Sequence, residues 1–456
     1  MPNKFVFIIE AQDTKQVKNE MEKIEQSVQN AWLELADITK VPRELVDDYW
    51  NFSWAAILYD EGYEKAHSNA QKLLAAIKLK PRKIRKSQKG EKCPLCGENS
   101  VWKNDFGADK QEKLCGVCAI KRLLPESSIP NEHALHKSLS RLKYPSTTEI
   151  SARKYIKKLN LSEKEIDDLH ETKETDIKKK YGELLSNQDR YYALLTMDGD
   201  KMGDMIKKKT TPQAHLELSE QLDAFTKATG ELKCFSEKHT KLIYAGGDDV
   251  FAVLPLENAI NVAKEIRDIF VEKVKDATIS AAIVIAHHKE PLREVIRDSH
   301  SVLDKIAKEK ASRDALAIRL KKRSGGDRDL FFQWKATNPF KPDETLFESL
   351  FKVQEALSES ALTSSLIYRL AQLKSPLAVE GIKSDQILKL FEYEVAHSIG
   401  EENVGDSAKR LAGICLANAF EKGALKPSKK REFIPEAAVI AHFLVLDKDD
   451  KTKDKQ

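Results

Sequence analysis

Leu242-Ile243-Tyr244-Ala245-Gly246-Gly247-Asp248-Asp249-Val250-Phe251-Ala252-Val253-Leu254 sets two runs of β-formers around Gly-Gly-Asp-Asp, which predicts a hairpin closed by a glycine turn. Glycine tolerates positive φ and lets a ligand approach the backbone closely. Two adjacent carboxylates at a strand edge repel each other unless a cation lies between them, and a divalent metal that polarises a phosphate would use that arrangement. Asp and Gly are also ordinary turn residues, so a solvated surface turn fits this stretch by itself equally well.

A second stretch shifts the balance. Tyr191-Tyr192-Ala193-Leu194-Leu195-Thr196-Met197 is an apolar strand that ends in Asp198-Gly199-Asp200, followed by Lys201-Met202-Gly203. Such a strand delivers a carboxylate and a backbone carbonyl to the edge of a sheet. A helical pattern from Pro212 to about Lys238 fills most of the gap to Asp248, so the two strands are expected to be sheet neighbours. Ala277 to Ala286 (ATISAAIVIA) contains a further buried strand. The helix after it places Leu292, Val295, Ile296, Ser299, Val302, Leu303 and Ile306 on one face. It runs into Ala307-Lys308-Glu309-Lys310-Ala311-Ser312-Arg313-Asp314 and then the strand Ala315 to Leu320.

A strand ending in Asp, a GG-acid-acid hairpin and Ala-Lys-x-x-x-x-Arg in this order resemble the palm shared by GGDEF cyclases and the large polymerase subunit of type III CRISPR effector complexes. The CRISPR subunit, of Cmr type, is the more similar, because its hairpin carries GGDD and its first strand carries DGD-x-MG, as here. The resemblance covers most of residues 1 to 335 and implies an α+β chain with two ferredoxin-like palms, one partial and one complete.

It also implies roles. Asp198, Asp248 and Asp249 are the candidate ligands of catalytic Mg²⁺ or Mn²⁺, with Gly199 offering its carbonyl. Gly246 and Gly247 leave room for a nucleotide over the hairpin, and Lys308 and Arg313 are candidates for the triphosphate of ATP. Asp200 is read either as part of this nucleotide site or as a residue that orients the turn by hydrogen bonds. The implied product is cyclic oligoadenylate, made when guide RNA in the complex pairs with target RNA. His287 and His288 read as structural or RNA-facing, since no acid or base partner is legible beside them.

The 76 basic and 72 acidic residues leave a net charge of +4, so any nucleic-acid surface is local. No signal peptide and no long uncharged apolar run is present, which predicts a cytoplasmic protein without a membrane partner. Cys93-Pro94-Leu95-Cys96-Gly97 and Leu114-Cys115-Gly116-Val117-Cys118 are two CxxC turns. Together they suit a closed tetrahedral S₄ site for structural Zn²⁺ in a reducing compartment, with Gly97 and Gly116 suiting tight knuckle turns. Eight cations between Lys78 and Lys92 form either a solvated loop or a phosphate-contacting loop on RNA.

The expected organisation is a partial first palm at 1–80, a basic loop with zinc module at 81–125, and a helical connector at 126–188. The catalytic palm follows at 189–335, then a helical C-terminal domain at 336–446 and a disordered tail at 447–456. In the partial palm, Lys4 to Glu10 and Phe52 to Tyr59 read as strands, where a complete palm sheet needs about four. The missing strands are expected from elsewhere, for example a separately encoded N-terminal half, and the other partners are the subunits and RNAs of the complex. The chain has no His-Asp dipeptide, so the nuclease motif of the family's N-terminal region is not found in it. Two other readings are open: a GGDEF-type cyclase making a cyclic dinucleotide, disfavoured by the missing Glu-Phe, and a non-catalytic scaffold whose palm only binds nucleotide.

Overall fold

A computed structural model describes residues 4–60, 62–79, 90–106, 111–129, 144–161, 165, 188–237, 239–323, 326–359, 362–372, 383–398, 404–416 and 434–444. Most of the basic loop and connector, and all of the acidic-basic tail, lie outside the described residues. The chain divides into two compact units. One comprises Pro145–Lys208 and His215–Gln456, the other Asn3–Tyr144 and Lys209–Ala214.

The larger unit is built on a six-stranded sheet of β3 (Tyr191–Gly199), β4 (Lys241–Gly246), β5 (Asp249–Pro255), β6 (Ile279–His287), β7 (Ala315–Lys321) and β8 (Arg328–Gln333). The strand order is β4-β5-β3-β6-β7-β8, with only β6 and β7 parallel. The first four strands, with the helices Pro212–Gly230 and Ala259–Lys273 between them, make a split βαβ unit of ferredoxin type. Both faces are covered, which explains why β6 is buried at every position and reads as a continuous apolar run.

Alternation sorts the side chains. Ala193, Leu195 and Met197 of β3 join one core with Phe225 and Phe270, while Tyr192 and Leu194 join the other with Val295, Val302 and Ile306. Phe225 and Phe270 are fully buried and meet edge to face, their ring centroids 4.9 Å apart. Truncating either to Ala costs about 3–5 kcal/mol.

The C-terminal helices contribute Leu350, Leu366, Phe391, Leu411 and Ile440 to the same core as the palm sheet. The stretch from Pro342 onward is not helical throughout, because Lys341–Thr345 pairs with Thr337–Asn338 as a short hairpin. Asn338, fully buried, fixes that hairpin through Ser349 Oγ at 2.9 Å and the Lys409 carbonyl at 3.2 Å.

Glu344 sits beside it. It accepts from Arg410 at 2.8 and 3.0 Å and from Lys352 at 2.8 Å. The Arg410 fork, opposed by burial and aided by Lys352, pulls the Glu344 carboxyl down to about 2 from an ordinary 4.5. A depressed carboxyl stabilises the fold above its unfolded value and loses that contribution as pH falls through the folded one. Glu344→Gln is therefore expected to cost about 2 kcal/mol at pH 7. The difference should close between about pH 4.5 and 2, as read by thermal melts of both proteins across that range.

In the smaller unit, Thr14–Ile38 forms a long helix begun by Asp13, whose side chain accepts from Gln16 N–H. Trp32, Leu35 and Ala36 of that helix pack with Val41 and Val46 against the hairpin of β1 (Lys103–Phe106) and β2 (Glu112–Leu114) and the helix Gly116–Leu123. Gly116 is not a positive-φ turn residue. It is a contact point: a Cβ there would lie 2.9 Å from Leu45 Cβ and 3.1 Å from Val46 Cγ1. Gly97, at φ +69°, is the residue that the knuckle turn requires.

Lys4–Glu10 and Phe52–Tyr59 do not form the strands expected of them; neither joins a ladder. Strand composition favours a pleated surface but cannot supply a hydrogen-bonding neighbour. Phe5 is 75% exposed and Leu58 79%, so these apolar runs lie uncovered. No helix among the described residues is long and apolar enough to cross a membrane.

Candidate active site and metal cluster

The hairpin closes through Gly247 and Asp248, with Gly246 paired to Asp249. Gly247 has φ +64° and Asp248 does not share the positive region, the pattern of a II′ turn with glycine first. The antiparallel register sets Met197 opposite Val250, which carries the turn to the end of β3. There the Gly199 N–H donates to the Asp248 carbonyl at 3.2 Å. A Cβ on Gly199 would lie 2.8 Å from Asp248 Cβ, 2.9 Å from Asp248 Oδ2 and 2.6 Å from Met202 Cγ. Glycine is thus what lets the Asp248 carboxylate lie against the strand that delivers Asp198.

Burial raises the Asp248 carboxyl above the ordinary range, and the charge of Asp249 raises it further. Asp198, one third exposed, is ion-paired with Lys308. Burial lowers Lys308, with Arg313 as the second cause. Carboxylates of β3 and the hairpin, and the cations after the helix Leu292–Val302, therefore meet at one end of the sheet. The three carboxylates are not drawn to one point: among the described residues, the acid and thiol groups close enough to share an ion are the four cysteines.

Two of the expected site residues, Asp200 and Gly246, are engaged by neighbouring side chains. Asp200 is 7% exposed, and its oxygens accept from Thr278 Oγ1 at 2.8 Å, Ser280 Oγ at 2.7 Å and Asp314 N–H at 2.9 Å. With both oxygens so engaged, Asp200 fits the second of its two readings, a residue that orients the turn. At Gly246 a Cβ would meet the Tyr244 ring, whose hydroxyl donates to the Gly246 carbonyl at 3.2 Å. Gly247 alone is open, with no atom within 4 Å of a built Cβ.

Tyr244, Thr278, Ser280, Arg267 and Asp314 were not singled out by sequence. Tyr244 was findable, since period two puts it on the same strand face as Gly246. Arg267 was too, as a guanidinium beside the apolar stripe of Val262, Ala263, Ile266 and Phe270. At the far end of β6, His287 is buried and thereby lowered to about 4, and His288 shares a 3.0 Å hydrogen bond with Thr148. Neither His touches the carboxylates.

In the smaller unit Cys93, Cys96, Cys115 and Cys118 bring their Sγ atoms within 4.8 Å of one another, and all six cysteines are free thiols. Cys96 and Cys115 are 3.7 Å apart. Burial opposes a Cys93 thiolate, but backbone N–H groups of Cys96, Cys115 and Leu95 outweigh it and bring the thiol down to about 7. Four converging thiols, one already favouring the anion, fit a soft tetrahedral ion.

A family model for the second palm domain of Cas10/Cmr2 matches residues 191–317. The Cmr2 subunit of the Pyrococcus furiosus CRISPR Cmr system is 29% identical in an alignment of 336 residues, with 55% of this chain and 38% of the relative covered. The chain thus matches well under half of that relative's length. Among solved structures, a chain of the type III-B Cmr-beta assembly in its apo state superposes with TM-score 0.62 at 13% identity, covering 96% of this chain and 69% of its own. A chain of Cmr-beta bound to cognate target RNA gives TM-score 0.57 at 16% identity, covering 96% and 70%. These likenesses agree on the palm fold.

Proposed function

We propose that this chain, a homologue of the Cas10/Cmr2 large subunit, is a metal-dependent nucleotidyltransferase of a type III CRISPR effector complex. The observation that carries the reading is the junction at Gly199, where the buried Asp248 carboxylate abuts the strand of Asp198, with Lys308 and Arg313 beside it. Asp198, Asp248 and Asp249 would hold Mg²⁺ or Mn²⁺: oxygen donors suit hard cations, and a cation would relieve both causes that raise Asp248, burial first and the Asp249 charge second. Bound there, such ions activate a 3′-hydroxyl and neutralise a leaving pyrophosphate.

The chain's own residues do the rest. Lys308 pairs with Asp198, and with Arg313 it supplies the charge that a triphosphate needs. Gly247 leaves the turn open to a ligand. By analogy with the family, ATP is the substrate, cyclic oligoadenylate the product, and guide–target RNA pairing the trigger.

Mass spectrometry of products from each NTP with Mg²⁺ or Mn²⁺, with and without guide and target RNA, tests this. Cyclic adenylates appearing only with target RNA support it, and no product under any condition contradicts it. A second reading, a nucleotide-binding scaffold, draws on Lys308 already filling the place of a cation at Asp198. It predicts ATP binding without product.

We further propose that the exposed runs at 4–10 and 52–59 complete a palm sheet with strands supplied by another segment. Their amides should exchange rapidly in the isolated chain and become protected in an assembled complex, as hydrogen exchange would read. Protection already strong in the isolated chain would refute this.

A further inference from the structure

Between the π-helical turn that ends at Lys310 and the first residue of β7, Ser312, Arg313 and Asp314 have φ of 62°, 67° and 43°. Each non-glycine residue in this region costs on the order of 1 kcal/mol or more, and three in succession persist only where neighbours over-determine them. A π-helical turn just before them is a second irregularity of the kind that gathers at functional sites.

The neighbours are specific. The Asp314 N–H donates to Asp200 Oδ2 at 2.9 Å, and its carbonyl accepts from Trp334 N–H at 2.8 Å. The Arg313 N–H donates to the Ala307 carbonyl at 3.1 Å, and its own carbonyl accepts from Gln333 Nε2 at 3.2 Å. The Asp314 carboxylate is gripped by Arg267, whose Nε lies 3.2 Å from Oδ1 and whose Nη2 lies 3.0 and 3.1 Å from the two oxygens. Arg267 also reaches Asp268 at 3.3 Å.

Its side chain is only 6% exposed. An apolar residue on that stripe would avoid the desolvation cost of a buried guanidinium. What an apolar residue lacks is a fork that fixes the orientation of a carboxylate.

We propose that Arg267 is a positioning residue for the triphosphate. Acting through Asp314, it locks the left-handed turn so that Arg313 stands beside Lys308 at the Asp198 end of the sheet. This rests on the reading of the palm as a nucleoside triphosphate site and adds to it the residue that holds the phosphate cations in place.

The test is a double-mutant cycle on the full chain, with Mg²⁺·ATP and adenosine as probes in a binding titration. Arg267→Met and Arg313→Ala should each weaken ATP about tenfold and leave adenosine unchanged, and the double variant should be no weaker than the weaker single. Additive effects, or equal losses for ATP and adenosine, would show a merely structural Arg267 and overturn the inference alone. Wild-type protein that binds no ATP would remove the palm reading and this inference together. Should Arg267→Met fail to fold, Arg267→Lys keeps the charge without the fork. The same loss for ATP alone is then expected from it, and full ATP affinity in Arg267→Lys would overturn the positioning role.

Discussion

Asp248→Ala/Asp249→Ala is expected to lower product formation at least about 1,000-fold, because a nucleotidyl transfer that depends on divalent ions loses its principal ligands. The same change should not weaken the fold. Burial and the neighbouring Asp249 hold the Asp248 carboxyl above its ordinary value. A carboxyl raised in the folded state destabilises that state at neutral pH, and the penalty disappears as pH falls below the unfolded value. The double variant should therefore melt at or above the wild-type temperature at pH 7, with the gap closing toward about pH 4. Activity lost together with a lowered melting temperature would mean that the hairpin is a packing element and the carboxylates its struts. Retained synthesis would remove them from the chemistry.

The second large effect belongs to the cysteines. One Zn²⁺ per chain is expected by elemental analysis, and Cys115→Ser should abolish it. Cys93, Cys115 and Cys118 are buried in the same core as Trp32, Val41 and Ile120. Without an ion that core holds converging thiols, and burial raises Cys118 strongly. Structural zinc contributes on the order of 10 kcal/mol to small folds. Chelation should thus loosen the helices and hairpin of the smaller unit, seen as faster amide exchange over 103–123, while the palm strands stay protected. Zinc-free protein with unchanged exchange after chelator treatment would contradict the assignment.

Most of the palm could be read from the chain. β3, β5 and β6 are apolar runs whose alternation, or lack of it, reports burial on one face or two. The turn chemistry of Gly247 marked the hairpin. β8 was not legible: Arg328–Gln333 is short and follows a charged Gly-rich stretch, and it is placed by β7, with Arg319 fastened to Asp329 at 2.7 and 2.8 Å.

The runs at 4–10 and 52–59 failed for the opposite reason. Their composition is that of strands, but a strand is a pairing, and among the described residues no partner strand meets them.

Within the site, the residue types were legible and the contacts were not. Lys308 and Asp198 are 110 positions apart, and Asp314 and Asp200 are 114 apart. Only the crossover from β6 to β7 brings them together. Asp200 shows this: its sequence neighbours leave two roles open, and only its depth beside Ser280 on the neighbouring strand reveals it as a hydrogen-bond hub.

The sheet end bearing Asp198, Asp248 and Asp249 is proposed to take divalent ions and a nucleoside triphosphate. A crystal structure with Mn²⁺ and a non-hydrolysable ATP analogue, phased for manganese by anomalous scattering, tests it most directly. Manganese is expected on those carboxylates, with Lys308 moved from Asp198 to the triphosphate and Arg313 beside it. Nucleotide bound elsewhere, with Lys308 still paired to Asp198 and no manganese at the hairpin, would contradict it.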